Sequence, residues 1–319
     1  MKSPRVDIVL LNWNSLADTS ACIDSIRNLY YPHVKTWVID NGSANKEAIV
    51  LEQKFPEVKV IALPENIGFC GGCNEGMKRA LEEGSDYIML LNNDALLTPG
   101  IVEELINNYQ QLKNPGAISP AILYYPETGK AWFTIAKWET RWKRGEAMFR
   151  LSYDENYNDI KNKQPYESEF ACGCCLFISS DVVRKVGLFD ERYFAFYDEA
   201  EWCARMRRKG FISYVVPSSY IYHKVGGSTP NLVMTYLMSR NRLLWIADNL
   251  SFSKKIKSYL CMLKELTWHW LNVMGFFSKK KQTMSKQYSR ALIRGWKDYF
   301  AGRFGKWNAA TEKIIFNRS

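Results

Sequence analysis

The strongest constraint on the fold is an alternation of short apolar runs and helical segments through the first third of the chain. The apolar runs suit buried parallel strands, and the segments after them carry apolar residues at helical spacing. The predicted strands are residues 6–11, 34–39, 58–63 and 87–91, and the predicted helices are residues 16–29, 46–55, 72–83 and 101–112. This order predicts βαβ units with right-handed crossovers, and therefore a parallel α/β sheet with flanking helices.

The alternation stops at residues 123–167, which are rich in Trp, Tyr, Lys and Glu and predict an insertion or an antiparallel excursion. Regular structure is predicted to resume with strands at 169–178 and 211–216 and helices at 180–186 and 199–209. Beyond Pro230 the pattern changes to long helices without strands. The sequence therefore predicts one domain over residues 1–231 and a helical region over residues 232–319.

Composition is that of an ordinary globular protein. Of the 319 residues, 47% are hydrophobic and 24% are charged, which excludes a disordered chain, a collagen-like repeat and a disulfide miniprotein. No run of 18 uncharged apolar residues occurs, so no transmembrane helix is expected. Asp7 interrupts the first apolar run and no small-residue cleavage site follows. The beginning of the sequence thus predicts a strand instead of a signal peptide, and a cytoplasmic protein.

Positive charge is concentrated in the C-terminal region. Residues 232–319 hold 17 Lys/Arg against 4 Asp/Glu, a net charge of +13, while the rest of the chain is slightly acidic. Apolar residues repeat there at helical spacing and basic residues follow: Leu263, Leu266, Trp270, Val273, Phe277, Lys279, Lys280 and Lys281. Such a helix can lie in a membrane interface or pack as a cap on the preceding domain. No nucleic-acid-binding motif accompanies the charge, so we expect no nucleic acid partner.

The eight cysteines include two close groups that could bind a metal. Cys70 and Cys73 form C-G-G-C, whereas Cys172 and Cys174 have one residue between them, a poor match to the spacing of a zinc site. The general pattern, single cysteines in apolar surroundings, favours packing in a reducing compartment.

Polar residues follow each of the four predicted strands at the point where the strand ends. In chain order they are Asn12, Asn14, Asp40, Asn41, Asn66, Gly68, Asn92, Asn93 and Asp94. Polar residues at the end of a single strand are explained by the residue preferences of turns. Polar residues at the ends of four strands, on the same edge of a parallel sheet, predict a polar ligand site. Neither a dinucleotide-binding glycine motif nor a phosphate-binding loop nor a serine-hydrolase elbow is present.

Carboxylates occur at two places where they could bind a metal ion or act as an acid or base. Asp94 follows the fourth strand and suits either a helix entry or a divalent cation that bridges a diphosphate. Asp198 and Glu199 follow an aromatic run at a helix start. They compensate the helix dipole or, if burial raises their pKa, supply a general base. His223 follows a later strand and is a candidate ligand beside Asp94.

Together these motifs resemble the family-2 glycosyltransferases with the GT-A fold, especially the rhamnosyltransferase-like branch that builds bacterial polysaccharides. In chain order the motifs are V-D-I-V-L-L-N-W-N, V-I-D-N-G-S, N-I-G-F-C-G-G-C-N, L-L-N-N-D, F-D-E, F-Y-D-E-A-E-W-C-A-R and I-Y-H-K-V-G-G-S. They cover about residues 5–230. The resemblance implies a Rossmann-like, mostly parallel sheet flanked by helices, with a C-terminal helical extension.

The resemblance also implies an activity. This activity is the inverting transfer of a sugar from a nucleotide-sugar donor. The first choice of donor is dTDP-rhamnose, which would supply L-rhamnose, and the second choice is a UDP-sugar. The acceptor would be a saccharide or a polyprenyl-diphosphate-linked saccharide used for cell-surface polysaccharide. The protein would lie in the cytoplasm, peripherally at the inner face of the membrane.

The site residues that the resemblance implies fall into three groups. The donor-binding group is Asn12, Asn14, Asp40, Asn66, Gly68, Asn74, Asn92 and Asn93, with Asp40 at the nucleotide base. Asp94 would hold Mg²⁺ or Mn²⁺ with help from His223, in a motif where the family's first aspartate is Asn92. The family's catalytic Glu-Asp pair becomes Asp198-Glu199, and Glu199 stands at the position of the general base.

Two other classes of protein remain open at this point. A catalytically inactive nucleotide-sugar-binding module is compatible with the missing first aspartate, although Asp94, Glu199 and His223 are all present. A nucleotidyltransferase would place a glycine-rich basic loop after the first strand, where this chain has N-W-N-S.

Overall fold

The computed structural model describes residues 3–144, 146–224, 231–276 and 286–315. The chain divides into two compact units. The first unit consists of Met1–Ala136, Leu151–Phe189 and Trp202–Gly227, and the second of Lys137–Arg150, Asp190–Glu201 and Ser228–Ser319. A functional division at residue 231 stays a prediction.

Four parallel strands form one half of the sheet in the first unit. They are β1 (Val6–Asn12), β2 (Val34–Asp40), β3 (Lys59–Ala62) and β4 (Tyr87–Asn92), in the order β3-β2-β1-β4. All four predicted strands are therefore confirmed. The register sets Asn12 opposite Asp40 and ends β4 level with β1. The polar residues after these strands accordingly meet at one edge of the sheet.

The helices of this half are α1 (Leu16–Arg27), α2 (Glu47–Lys54), α3 (Gly68–Glu82) and α4 (Ile101–Gln111). The prediction that α3 begins at residue 72 is wrong, because the glycine-rich segment is already helical. A Cβ on Gly72 would lie 2.2 Å from Leu11 Cδ1, and one on Gly76 would lie 2.3 Å from Val9 Cγ1. These glycines let α3 pack closely on β1, which offsets their poor helix propensity.

The remaining strands either make the main sheet mixed or form a second, small sheet. They are β5 (Ala95–Leu97), β6 (Pro115–Tyr124), β7 (Lys130–Phe133), β8 (Ala136–Arg141), β9 (Glu146–Leu151), β10 (Glu155–Asn156), β11 (Tyr166–Glu167), β12 (Cys175–Ser179) and β13 (Ile212–His223). β12 lies between β4 and β6 and runs antiparallel to both. β13 runs parallel to β6 and antiparallel to β5 and β11. β8 and β9 form a separate two-stranded sheet.

β6 was not predicted from the sequence, and β12 is shorter than predicted. Pro115 and Pro120 lack an N–H group and argue against a central strand. In the structure Pro120 stands opposite Val216, immediately before an irregularity in the register of β13. Of the predicted strand at 169–178 only residues 175–178 are extended, and β12 ends one residue later, at Ser179. β13 continues seven residues past its predicted end at residue 216. This extension brings His223 opposite Ala95, beside Asp94.

Short helices α5 (Tyr157–Ile160) and α6 (Ser180–Val186) and the longer α7 (Asp198–Arg208) complete the chain before residue 231. The helices that lie wholly in the second unit are α8 (Asn231–Asn249), α9 (Phe252–Met274), α10 (Lys286–Phe300) and α11 (Ala309–Ile315), with α10 packed against the other three. The prediction of long helices beyond Pro230 is confirmed in the described ranges. None of the helices in the described part of the chain combines the length and the apolar character needed to cross a bilayer.

The predicted apolar stripe of the C-terminal region is only partly correct. On α9, Leu263 and Trp270 are exposed, whereas Leu266 and Val273 are partly buried. Phe277 and the three lysines at 279–281 lie outside the described residues.

Candidate functional site

Asn12 is the centre of a buried hydrogen-bond network at the carboxyl edge of β1, β2 and β4. Its Nδ2 donates to Asp40 Oδ1 at 2.9 Å and to Glu47 Oε2 at 2.9 Å. Its Oδ1 accepts from the hydroxyl of Thr19 at 2.6 Å, and that hydroxyl accepts from Nδ2 of Asn93 at 2.8 Å. The structure thus brings Asn12, Asp40 and Asn93 together. No sequence signal marks Thr19 and Glu47, because both lie on helices and not at strand ends.

The loops after β1 and β2 are also bonded to each other. The hydroxyl of Ser43 accepts from the backbone N–H of Asn14 at 2.9 Å and donates to Asp40. Oδ1 of Asn14 accepts from the backbone N–H of Ala44 at 2.8 Å. Asn14 has a positive φ of 50° and an exposed side chain, so it remains available at the surface of this edge.

A third set of bonds fixes the start of α3. Nδ2 of Asn41 donates to Asn66 Oδ1 at 3.2 Å and to the carbonyl of Gly68 at 3.1 Å. Asn66 Oδ1 also accepts from the N–H of Gly68 at 2.8 Å, and Gly68 has a φ of 87° that favours glycine. Deeper in α3, the amide of Asn74 accepts from and donates to the backbone of Phe189, at 2.9 and 3.0 Å. The donor-binding roles of Asn66, Gly68 and Asn74 stay predictions.

The two predicted metal ligands, Asp94 and His223, lie in contact with each other. Asp94 lies in the turn between β4 and β5, and its carbonyl accepts from the backbone N–H of Lys224 at 2.9 Å. Its Oδ1 is 3.1 Å from His223 Nε2, with the two side chains 16% and 8% exposed. The ring of Trp132 meets the imidazole edge-on at 4.7 Å. His223 Nδ1 is buried and has no hydrogen-bond partner among the described residues.

This pair fits a hexacoordinate divalent cation that takes its remaining ligands from elsewhere. Octahedral Mg²⁺ has ligands at about 2.0–2.1 Å, which sets neighbouring ligands about 3 Å apart. The distance between Asp94 Oδ1 and His223 Nε2 matches that spacing. Carboxylate and imidazole together also suit Mn²⁺. No group of three His, Cys, Asp or Glu side chains that could hold a metal occurs within the described ranges. Oxygens of a bound ligand would have to complete the shell.

The cysteines do not add a metal centre to the described part of the chain. All eight are buried free thiols, Cys70, Cys73, Cys172 and Cys174 among them. Burial raises the pKa of the Cys22, Cys174 and Cys175 thiols, which keeps them protonated.

The acidic pair Asp198 and Glu199 begins α7 in the second unit, at the end of a strained loop. Phe194, Phe196 and Tyr197 have positive φ angles of 65°, 67° and 67°. For a residue with a side chain, the left-handed region costs about 1–2 kcal/mol. The ring of Tyr197 packs on Phe149 at 5.9 Å, next to an aromatic cluster that also includes Trp138 and Trp245. The acidic pair therefore directly follows a residue that packs among aromatic rings.

The pKa of both carboxyl groups is raised. For Asp198, which is 3% exposed, burial is the main cause, and hydrogen bonds from the backbone N–H groups of Asp198 and Phe196 oppose it. Burial also dominates for Glu199, and the negative charge of Asp198 raises the pKa of Glu199 further. Glu199 is only partly buried. It thus combines access to a ligand with a pKa suited to taking up a proton near neutral pH.

The sequence matches a known family and several relatives. The family model described as "Glycosyl transferase family 2" matches residues 7–187. The N-acetylglucosaminyl-diphospho-decaprenol L-rhamnosyltransferase of Mycobacterium tuberculosis is 22% identical, over 67% of this chain and 74% of the relative. The low-salt glycan biosynthesis hexosyltransferase Agl10 of Haloferax volcanii is 28% identical over 90% of both chains. The dTDP-rhamnosyl transferase RfbF of Shigella flexneri is 21% identical over 64% of this chain and 69% of the relative.

Two solved structures share the fold at low sequence identity. The structure of S. aureus TarS 1-349 superposes with a TM-score of 0.55 and 11% identity, over 92% of this chain and 80% of that one. GalNAc-T7 with UDP, GalNAc and Mn²⁺ gives a TM-score of 0.58 and 12% identity, over 98% of this chain and 57% of that one. These likenesses confirm the predicted fold class.

Proposed function

Because the chain belongs to glycosyl transferase family 2, we propose that it transfers L-rhamnose from dTDP-rhamnose to a lipid-linked saccharide with inversion at the anomeric carbon. The observation that carries the chemistry is the contact between Asp94 and His223 at the carboxyl edge of the sheet. The choice of sugar is supported by the relatives, two of which are named for rhamnosyl transfer. The choice of acceptor is supported by the diphospho-decaprenol compound in the name of the mycobacterial relative.

The donor would bind along the loops that follow β1 to β4. Asp40 contacts the nucleotide base, and the exposed side chain of Asn14 lies on the adjoining loop. Asn66 and Gly68 contribute from the loop before α3 and from its first residue, and Asn92 reaches the ribose or the metal shell. The amides of the remaining predicted residues, buried in Asn12 and Asn74 and partly buried in Asn93, hold these loops in place. UDP-sugars are the second class of donor that this edge could take.

Asp94 and His223 would hold Mg²⁺ or Mn²⁺ together with oxygens of the donor diphosphate. A bound divalent cation supplies positive charge that stabilises the leaving diphosphate. Support comes from the 3.1 Å separation of the two ligand atoms and from the Mn²⁺ in the GalNAc-T7 structure of similar fold. Asparagine at position 92 leaves one carboxylate fewer, so a weakly held ion that depends on the donor is expected.

Glu199 would act as the general base. Its carboxylate takes the proton of the acceptor hydroxyl while that oxygen attacks the anomeric carbon on the face opposite the diphosphate. The bond between the anomeric carbon and the diphosphate oxygen breaks as the new bond forms. This single displacement inverts the configuration, so no nucleophilic Ser or Cys is needed. Asp198, buried next to it, keeps the pKa of Glu199 high.

Transfer is expected to increase with pH through the raised pKa of Glu199. Only the ionised form accepts a proton, and burial together with the charge of Asp198 raises the pKa of Glu199 to about 8. Activity should therefore be lost as the pH falls below that value, well above the range of an ordinary carboxyl group at about 4–5. The pH profile of kcat measures this. A profile that stays flat from about pH 5 to about pH 8 would contradict a base of this kind.

A panel of nucleotide sugars tests the proposed function. Binding and slow hydrolysis of dTDP-rhamnose, UDP-sugars and other nucleotide sugars are measured with Mg²⁺ and with Mn²⁺. The strongest metal-dependent binding is expected for dTDP-rhamnose. Preference for a UDP-sugar would change the donor and keep the reaction class, whereas binding without any hydrolysis or transfer would favour an inactive binding module.

We also propose that α9 places the enzyme on an anionic membrane surface, where a lipid-linked acceptor resides. Apolar side chains recur along one face of the helix, each between 46% and 79% exposed: Phe252, Ile256, Leu260, Leu263, Trp270 and Met274. The buried residues of α9, Cys261 and His269 among them, lie on the opposite face. A surface helix ordinarily presents polar residues to water. The apolar outer face of α9 therefore suits insertion at the level of the lipid headgroups.

The charge beside this face favours an anionic partner over a second copy of the chain. The spacing of Ile256, Leu260, Leu263 and Trp270 would also fit a coiled-coil seam. However, Lys257 and Lys264 flank the stripe, and the acidic residue of the same helix, Glu265, is bound to Arg242 on the other side. A second copy would add lysines without acidic partners, whereas each lysine near an anionic leaflet contributes about 1 kcal/mol.

The full chain is expected to co-sediment with vesicles that contain anionic phospholipid. Changing both Leu263 and Trp270 to serine should weaken binding at least tenfold, because burying a large apolar side chain contributes about 1.5–3 kcal/mol. Changing Lys279, Lys280 and Lys281 to glutamine should weaken binding chiefly at low salt, where screening is small.

The matched control is Tyr30→Ser, which removes an aromatic side chain that is 76% exposed in the first unit. Its vesicle binding should equal that of the wild type. A full chain that does not bind anionic vesicles at low salt would show that α9 is only a structural helix. Dimerisation lost in the Leu263/Trp270 variant would indicate a second copy as the partner.

A further inference from the structure

We propose that Arg240 and Asn241 on α8 are positioning residues that hold the loop before the acidic pair in its left-handed form and thereby orient Glu199 for proton transfer. The inference rests on the proposed role of Glu199 as the base. Arg240 and Asn241 lie 41 and 42 positions after Glu199, and no sequence motif marks either of them.

Asn241 binds the loop through one amide group. Its Nδ2 donates to the carbonyls of Tyr193, Ala195 and Phe196, at 2.8, 2.8 and 2.9 Å. These carbonyls converge on one point because the loop bends through residues with positive φ. Asn241 is 0% exposed, so water cannot replace the amide. Its loss would leave buried carbonyl groups without that donor.

Arg240 extends the same set of contacts. It is 0% exposed, and its guanidinium donates to the carbonyls of Arg192 at 3.3 Å, Tyr193 at 3.1 Å and Gly305 at 2.7 Å. Its Nε donates to Oδ1 of Asn241 at 3.0 Å. This bond fixes the orientation of the Asn241 amide, so that the NH₂ group faces the loop. The two side chains therefore act as one rigid donor surface.

The loop that they hold leads directly into the acidic pair. Phe196 and Tyr197, both left-handed, precede Asp198 without an intervening residue. The backbone N–H of Glu201 donates to the carbonyl of Tyr197 at 2.9 Å, which ties the first turn of α7 to the same loop. A change in the loop backbone must therefore move Asp198 and Glu199. Strain that is kept by surrounding contacts occurs preferentially at functional sites.

A structural role alone would not require this arrangement. Ordinary packing of α8 is already supplied by apolar residues such as Leu237, which belongs to the cluster with Phe194 and Val233. Burying a guanidinium and an amide group costs desolvation free energy, which apolar residues at these positions would avoid. What they provide in addition is a fixed backbone geometry at residues 193–196.

The test compares alanine variants of two asparagines on the same helix in the full chain. Asn241→Ala removes the contacts with the loop, whereas the control Asn249→Ala removes a bond of 3.1 Å to the carbonyl of Trp245. Asn241→Ala is expected to lower kcat about 10²-fold with the donor KM within twofold, because misplacement of a reacting group by about 1 Å has an effect of this size. Asn249→Ala should leave both parameters within twofold of the wild type.

The same change in the Glu199→Gln background separates positioning from general loosening. There Asn241→Ala should lower kcat less than about threefold, since its effect acts through a base that is already absent. An equal loss in both backgrounds would overturn the proposal, and so would a folded Asn241→Ala enzyme with normal kcat. If Asn241→Ala does not fold, Arg240→Lys keeps the charge and loses the planar fork, and the same comparison applies to it. Normal turnover in Glu199→Gln itself would refute the proposed base and not the loop contacts.

Discussion

Changing Glu199 to glutamine is expected to lower the rate of sugar transfer by about 10²–10⁴, the usual contribution of a general base. The amide has nearly the same size and cannot accept the proton of the acceptor hydroxyl. Donor binding should remain within a few-fold of the wild type, because the predicted donor contacts lie in the first unit. Steady-state kinetics with saturating donor and acceptor, together with calorimetry of donor binding, measure both quantities.

Asp198→Asn is the informative comparison for that variant. Asp198 is buried and raises the pKa of Glu199 through its charge, so its replacement should lower that pKa and shift the pH profile to lower pH. The loss in rate should be smaller than for Glu199→Gln. If Glu199→Gln turns over normally and Asp198→Asn does not, the base is Asp198 and our assignment is wrong.

Changing Asp94 to alanine is expected to abolish metal-dependent binding of the donor. The variant removes the carboxylate that stands 3.1 Å from His223 Nε2, and Asn92 provides no second carboxylate to replace it. Asn92→Ala should weaken binding less, because a neutral amide contributes little charge. Calorimetry of dTDP-rhamnose with and without Mn²⁺ measures the difference.

Asp18→Ala is the matched control for this variant. Asp18 pairs with Lys224 at 3.0 Å, directly after His223 in the sequence, and its side chain is 40% exposed. Its removal changes the local charge without touching the proposed ligands, so metal-dependent binding should persist. Equal donor affinity in the wild type and in Asp94→Ala, with Mn²⁺ present, would refute the metal role of Asp94.

The parallel half of the fold could be predicted because its signals are local. Apolar runs such as β1 and β4 are buried on both faces, and the helices between them repeat apolar residues at a fixed spacing. The predictions for β6 and for the start of α3 failed because contacts between residues distant in the sequence decide the structure there. Pro120 argues locally against β6, yet it is accommodated beside a register irregularity in β13. Gly72 argues against a helix, yet the close approach of Leu11 favours glycine there.

The part of the candidate site at the strand ends was predictable, because the carboxyl ends of parallel strands lie at one edge of the sheet. Asn12, Asp40 and Asn93 were expected at one edge and are linked there through a common network. Thr19 and Glu47 complete that network from helices, where no local pattern marks them. The contacts of Arg240 and Asn241 were also beyond sequence reasoning, because most of their partners are backbone carbonyls, which have no side-chain signature.

The most direct test of the account is the structure of the product. The full chain is incubated with dTDP-rhamnose, Mn²⁺ and a polyprenyl-diphosphate-linked N-acetylglucosamine, and the purified lipid-linked product is analysed by NMR. A single displacement by this enzyme predicts one added rhamnose whose anomeric configuration is opposite to that of the donor. A product that retains the donor configuration would contradict the single displacement. Failure to transfer any sugar from the nucleotide-sugar panel to this acceptor or to a free saccharide, by a chain that binds donor, would contradict the proposed enzyme activity.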